Sequence, residues 1–389
     1  MSVETVAHGI NDLDAIIREL DNLNEQARAK HIWIRTKWNL ANKKPWHLGE
    51  SGFPAQGPTH LPVEHTAPVP YLWKWADIES YLMTLTELCP LELTERQSVL
   101  LTNPAYGLNG VKITNTMRIA ISIYNKGDVA KPHWHTPNAS RTIISETGGY
   151  TSVEGEIIKP KRGDLVLTPN GTWHGHGNDD DTPVIWADTL DWPLMDYLGL
   201  SAVRNDDNNA PEHGDPCDDF SKRFYGRGGI RPLFEAHPRG NGLNVTPMFH
   251  YKANDIRGAL KDMYDYEGNP YEGVHIEIVN PLTGGSVFPT LSYRAQLLKT
   301  GQTTAPYRHT ASQYFFVLEG EGYTEIDGER FDWVKNDFFL VPNHSWRSHT
   351  VTGGGDAILY STTDAPVFER LGQYHSQGRL PGGKLVDLG

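Results

Sequence analysis

Cysteine is nearly absent: Cys89 and Cys217 are the two in 389 residues. Two thiols argue against a disulfide framework or a thiolate metal site, and a reducing compartment is their natural setting. Long apolar runs are missing too. No stretch approaches the roughly eighteen residues that a membrane helix needs, and no basic segment followed by an apolar run opens the chain. Runs of basic charge are lacking as well. With 35 Lys and Arg against 48 Asp and Glu, a net of -13, the chain offers little to nucleic acid or to an anionic membrane surface. No glycine-rich fingerprint for a nicotinamide or flavin is evident. These absences lead us to expect a soluble, cytoplasmic protein that works without an organic redox cofactor.

What the chain does have is turn formers, 38 Gly and 26 Pro, which favour a mostly β fold. The length leaves room for two or three domains and a substantial core. Its most informative stretch runs from Gly127 to Asn178. It contains G-D-V-A-K-P-H-W-H and, later, G-D-L-V-L-T-P-N-G-T-W-H-G-H-G-N. Residues two apart on a strand face the same side. His133 and His135 therefore point together, and His174 and His176 form a second same-face pair.

The two blocks resemble the paired cupin motifs, G-x5-H-x-H and G-x5-P-x-G-x2-H-x3-N. Gly163, Pro169, Gly171, His174 and Asn178 match the second motif at every fixed position. Cupins commonly add a glutamate four or five residues after H-x-H. Here those positions hold Ala139 and Ser140, and the first carboxylate downstream is Glu146. The stretch is similar in this respect to the gentisate, salicylate and 1-hydroxy-2-naphthoate dioxygenase family, whose iron is held by three histidines. The resemblance covers the cupin halves well and the first hundred residues loosely.

That resemblance implies a metal site of His133, His135 and His174 binding Fe(II). It also implies an aromatic hydroxy-acid substrate with O2, and a homo-oligomer. Arg141 matches an arginine that contacts substrate, where its fork can pair with a carboxylate. His176 matches a histidine placed to hydrogen-bond a phenolic oxygen or O2, Asp188 an acid near that histidine, and Arg96 a second candidate for the carboxylate. The chemistry is coherent. Neutral imidazoles suit Fe(II), and a third histidine in place of a carboxylate leaves the ion its full double charge. A dianionic chelating substrate is thereby favoured, and without a separate reductant both oxygen atoms enter the substrate. Zinc would bind but cannot pass electrons to oxygen. The length, H-W-H-T-P-N-A-S-R and Met117-Arg118 in place of the family's pocket tryptophan incline the reading to 1-hydroxy-2-naphthoate, with gentisate and salicylate as alternatives. A decarboxylase would want the absent glutamate. A storage protein gives no reason to keep one intact motif beside a decayed one.

Along the chain, residues 11–30 read as an amphipathic helix, with Leu13, Ile16, Ile17, Leu20 and Ala27 on one stripe and Asn11 and Asp14 placed to cap it. Residues 31–75, with Trp33, Trp38, Trp46, Trp73 and Trp75, read as an irregular arm. Strands begin near Val99, and Ile119, Ile121 and Ile123 alternate on one face. The pattern then returns: Asn103-Pro104 is echoed by Asn280-Pro281, Gly127 by Gly301 and Pro169 by Pro342. The expected architecture is mostly β: a bicupin, two jelly-roll β-barrels with an N-terminal helical arm. Its expected parts are a helix and Trp-rich arm (1–98), a catalytic barrel (99–200), a connector (201–270) and a second barrel (271–389). In that second barrel Tyr307, His309 and Arg347 stand where His133, His135 and His174 stand in the first. Asn336 and His344 replace motif glycines. A guanidinium stays protonated and repels cations, so the second barrel should be metal-free.

Overall fold

The computed structural model describes residues 13–36, 66–89, 96–107, 110–205, 219–228, 230, 245–266 and 268–389. The amphipathic stripe forms the helix Leu13–Arg28, with Leu20 and Ala27 fully buried. Its Asn24 side chain accepts the amide of Ile34 at 3.1 Å, which ties the helix to the short strand Ile32–Ile34. The expected irregular arm is therefore ordered at both described ends. Trp33 pairs with Leu100 in a sheet and packs on Leu100 and Val111. Trp73 is buried on the strand Tyr71–Trp73, and Trp75 opens the helix Trp75–Leu88. Trp38 and Trp46 lie outside the described residues. Among the described residues no helix is long and apolar enough to cross a membrane.

The chain divides into two compact units. The first takes the described residues up to Thr66, Ala76–Arg162 and those from Asn170 to 205; the second takes Ala67–Trp75, Gly163–Pro169 and those from Asp219 onward. In the first unit one antiparallel sheet runs Ile32–Ile34, Ser98–Leu101, Arg118–Tyr124, Val184–Leu190, Ala139–Ile143. The other runs Val203–Arg204, Val129–His135, His174–Gly177, Tyr150–Val153, Glu156–Ile158. Arg141 of the first sheet hydrogen-bonds Thr151 and His176 of the second, so their inner faces meet as in a jelly roll. The alternation expected on Arg118–Tyr124 is present: Ile119, Ile121 and Ile123 are fully buried on one face. The opposite face, Arg118, Ala120, Ser122 and Tyr124, is the one that looks into the barrel beside Asp188.

The second unit repeats the plan around a core of Phe315, Val317, Trp333, Phe339 and Leu359. The duplication holds down to the register. His174 pairs with His133, and Arg347 with Tyr307; His176 pairs with Thr151, and His349 with Thr324. Asp188 opposite Arg141 becomes Ser361 opposite Phe315. The turns survive the loss of glycine. Gly163 and Gly171 have φ of 78° and 73°, and Asn336 and His344 keep 73° and 67°. Asn and His are among the residues that tolerate this left-handed region best.

The expected connector needs correcting at its C-terminal end. His250–Tyr251 pairs with Leu165–Thr168, and the helix Ala253–Asp262 follows at once. His250 is 1% exposed between two carboxylates, donating to Asp164 at 2.8 Å and contacting Asp219. Burial alone would lower its pKa, but the hydrogen bonds to Asp164 and Asp219 raise it. Asp164 also accepts the first amide of the helix, from Ala253, at 2.7 Å. This segment is part of the second unit's core.

Candidate active site

Strand parity brings the histidines together as expected. His133 and His135 end the strand Val129–His135, His174 and His176 lie on the antiparallel neighbour, and all four are at most 5% exposed. The His174 ring lies 4.2 Å from that of His133 and 4.6 Å from that of His135, centroid to centroid. His176 is 5.5 Å from both His133 and His174.

The hydrogen bonds separate these four rings into two kinds. Nδ1 of His133 faces the Lys131 carbonyl at 3.2 Å, that of His135 the Pro137 carbonyl at 2.8 Å, and that of His174 the Thr172 carbonyl at 2.9 Å. A carbonyl can only accept, so each Nδ1 carries the proton and each Nε2 presents its lone pair, that of His133 toward Nη2 of Arg96. This is the tautomer that metal-ligating histidines adopt. Burial first, then neighbouring positive charge, keeps the rings neutral. His135 is held down to about 4, and His133 and His174 are pulled well below the ordinary range. His176 is different. Both its nitrogens face the Arg141 guanidinium, at 2.6 and 3.1 Å.

By distance alone, the trio whose ligand atoms all lie within 4.8 Å of one another is His133, His174 and His176. The tautomers argue instead for His133, His135 and His174, whose Nδ1 protons all go to backbone carbonyls, whereas both nitrogens of His176 face Arg141. A buried set of neutral nitrogen donors fits a divalent transition metal under either choice.

Arg141 is 5% exposed, and its donors are all in use. Nε and Nη2 donate to Asp188 at 3.0 and 2.9 Å, Nη1 to Thr151 at 2.6 Å, and the guanidinium stacks 4.3 Å from the Trp186 ring centroid. The carboxylate fork expected of Arg141 is therefore committed inside the protein, and the residue positions His176 instead. Asp188 acts one step further back than expected. It holds Arg141, and it also accepts Ser122 Oγ at 3.1 Å and Trp186 Nε1 at 2.9 Å. Arg96 does reach the site: its Nη2 meets Nε2 of His133, and its buried Nε has no partner among the described residues.

Sequence reasoning missed the aromatic lining. Tyr124 stacks on Trp186 at 4.7 Å, and Trp192 lies 5.9 Å from His135. Parity along Arg118–Tyr124 was the available signal for Tyr124. Nothing local marks Trp192, the first residue of a short helix.

The Arg141 network gives a direct expectation. Arg141→Lys keeps a cation beside Asp188 but loses the rigid fork. Metal content should stay unchanged while kcat drops on the order of 10- to 100-fold, as is usual when a partner of a metal-site histidine is lost. Metal analysis beside steady-state oxygen uptake checks this, and normal kcat would make Arg141 a structural residue.

Residues 120–192 and 295–363 match the cupin domain model; the second match lies in the second unit, and the first lies in the first unit apart from Gly163–Pro169. Two cupin domains in one chain, the first with a buried cluster of histidines, define a bicupin. The chain is 35% identical to a 5-aminosalicylate 1,2-dioxygenase of Comamonas sp, over 79% of this chain and 81% of that protein. A gentisate 1,2-dioxygenase of Aquipseudomonas alcaligenes is 34% identical, over 78% and 85%. A 1-hydroxy-2-naphthoate dioxygenase of Nocardioides sp. is 27% identical, over 80% and 79%. The crystal structure of a salicylate 1,2-dioxygenase from Pseudaminobacter salicylatoxidans superposes with a TM-score of 0.74 at 29% identity, covering 82% of this chain and 90% of that one. The chain belongs to this family of ring-cleaving dioxygenases.

Proposed function

We propose that this enzyme cleaves the ring of an ortho-hydroxy aromatic carboxylic acid between the carboxyl- and hydroxyl-bearing carbons, using Fe(II) held by His133, His135 and His174. The observation that carries the reading is the common tautomer of those three rings, each with Nδ1 pinned to a backbone carbonyl so that Nε2 carries the lone pair. When bound, the ion supplies a chelation point for the substrate and the redox partner that O2 requires. The surrounding residues do the positioning. Arg96 pairs with the carboxylate, since its guanidinium already lies at the site with Nε unpartnered among the described residues. Arg141 holds His176 against both ring nitrogens, and that ring, 5.5 Å from those of His133 and His174, stands where it can meet a phenolic oxygen. The buried walls exclude bulk water and strengthen each of these interactions.

The relatives of higher identity carry names of single-ring acids, so we propose a salicylate-type ring. The sequence's inclination to 1-hydroxy-2-naphthoate is a second reading, which the comparisons do not distinguish from the first. The test is oxygen uptake by anaerobically iron-loaded enzyme on gentisate, 5-aminosalicylate, salicylate and 1-hydroxy-2-naphthoate, with benzoate as control. One O2 should be taken up per ortho-hydroxy acid and none with benzoate, with the highest specificity constant on a single-ring acid. No uptake on any of them would remove the proposal, and a clear preference for the naphthoate would move the substrate to the bicyclic class.

A further inference from the structure

We infer that Arg118 reads the far side of the substrate ring, selecting ortho-hydroxy acids that carry an oxygen substituent on the carbon para to the hydroxyl. The inference rests on the reading above and names the substrate class of that same site.

Register places Arg118 on the inner face. Ala120 pairs with Asp188 and Asp188 with Arg141, so Ala120 shares the row of the buried arginine network. Arg118 is two residues before Ala120, opposite Leu190, and so looks to the same side. Its Nε donates to the Val111 carbonyl at 3.2 Å, which fixes the stem. Its guanidinium carbon lies 5.1 Å from the Trp192 ring centroid, and that ring is 5.9 Å from His135. A single indole thus separates this cation from the histidine site.

Each of the three arginines at the site has a different freedom. Arg141 has no donor left. Arg96 sits against His133, at the opposite end of the H-x-H pair from Trp192. Arg118 alone offers two terminal nitrogens that donate to nothing among the described residues, while its Nε is held. Burial lowers its pKa to about 10, with Asp196 partly opposing and Arg35 adding to the shift, so it remains a cation at neutral pH. A fixed, charged fork facing a ring whose carboxylate is held elsewhere finds its partner in an acceptor at the other end of that ring. An oxygen para to the hydroxyl, as in gentisate, provides one. A hydrocarbon second ring does not, and would leave the fork desolvated without a partner.

The experiment compares wild type, Arg118→Met and Arg118→Lys as iron-loaded enzymes with gentisate and salicylate. Dissociation constants come from anaerobic calorimetry and specificity constants from oxygen uptake. Comparing each variant with wild type cancels the intrinsic reactivity of the two rings. The gentisate-to-salicylate ratio, in both Kd and kcat/KM, should change roughly tenfold or more against gentisate in Arg118→Met, the loss expected for a charge-assisted hydrogen bond. The change should lie in KM rather than kcat, and lysine should restore part of it. If Arg118→Met does not fold, a smaller change in the same direction with Arg118→Lys supports the inference in its place. An unchanged ratio overturns the inference. So does an equal loss on both acids, which would make Arg118 a holder of the shared carboxylate. Wild-type enzyme inert on both acids would instead overturn the ring-cleavage reading itself.

Discussion

His174→Ala should strip the enzyme of iron and abolish oxygen uptake, while His309→Ala should spare both. His174 is the ring nearest to both partners, 4.2 Å from His133 and 4.6 Å from His135. Alanine there leaves two imidazoles on one strand, too few to hold the ion against water. His309 occupies the place of His135 in the second unit but has no comparable set. Its Nε2 faces Gln313 Oε1 at 3.0 Å, and the places of His133 and His174 are taken by Tyr307 and Arg347, which pair with each other. Purified wild-type protein should therefore carry close to one iron per chain. Metal analysis alongside an oxygen electrode decides the matter. Two irons per chain, or iron lost from His309→Ala, would end the idea of a metal-free second barrel.

The second large effect belongs to Arg347. It is 1% exposed and paired with Glu272, itself 7% exposed, while also donating to Gln313 at 3.0 Å. Arg347→Ala would leave a carboxylate buried without its cation, a change that costs about 3–5 kcal/mol. Arg347→Met with Glu272→Gln should recover most of that loss, because both charges go together. The pH dependence gives a second signature. Burial would raise the Glu272 pKa, but Arg347 brings it down from 4.5 to about 2. A depressed acid contributes stability that is complete above its unfolded pKa and disappears as pH falls through the folded one. Wild type should lose this contribution between about pH 4.5 and 2, and Arg347→Ala should lack that component. Urea unfolding across the range measures it; a loss below about 1 kcal/mol at pH 7 would show the pair to be dispensable.

The readable parts of this protein were those set by short-range rules. H-x-H on a strand guarantees two rings on one side, and Gly163, Pro169 and Gly171 mark turns in which both glycines have the expected positive φ. The repeat was legible at Gly127 and Gly301, and even the substitutions Asn336 and His344 kept the left-handed turn. The unreadable parts were set by partners distant in sequence. Arg141 was found, but its role depends on Asp188, 47 positions away and opposite it only through strand pairing. Three-residue strands such as Ile32–Ile34 show no period at all. In the helix Trp75–Leu88, the tryptophan-rich lead-in hid the Ile78, Leu82, Leu85 spacing.

The strand that carries His133 and His135 has neighbours on both sides. His174–Gly177 lies along one edge, and Val203–Arg204 covers the other with Val203 opposite His135 and Arg204 opposite Trp134. A strand flanked in this way cannot fray alone, so its amides exchange with solvent only when the surrounding barrel opens. An ion held by two side chains of such a strand shares that clock. For the iron site proposed on His133 and His135, residence time would then follow the rare opening of a whole barrel rather than the frequent breathing of an edge.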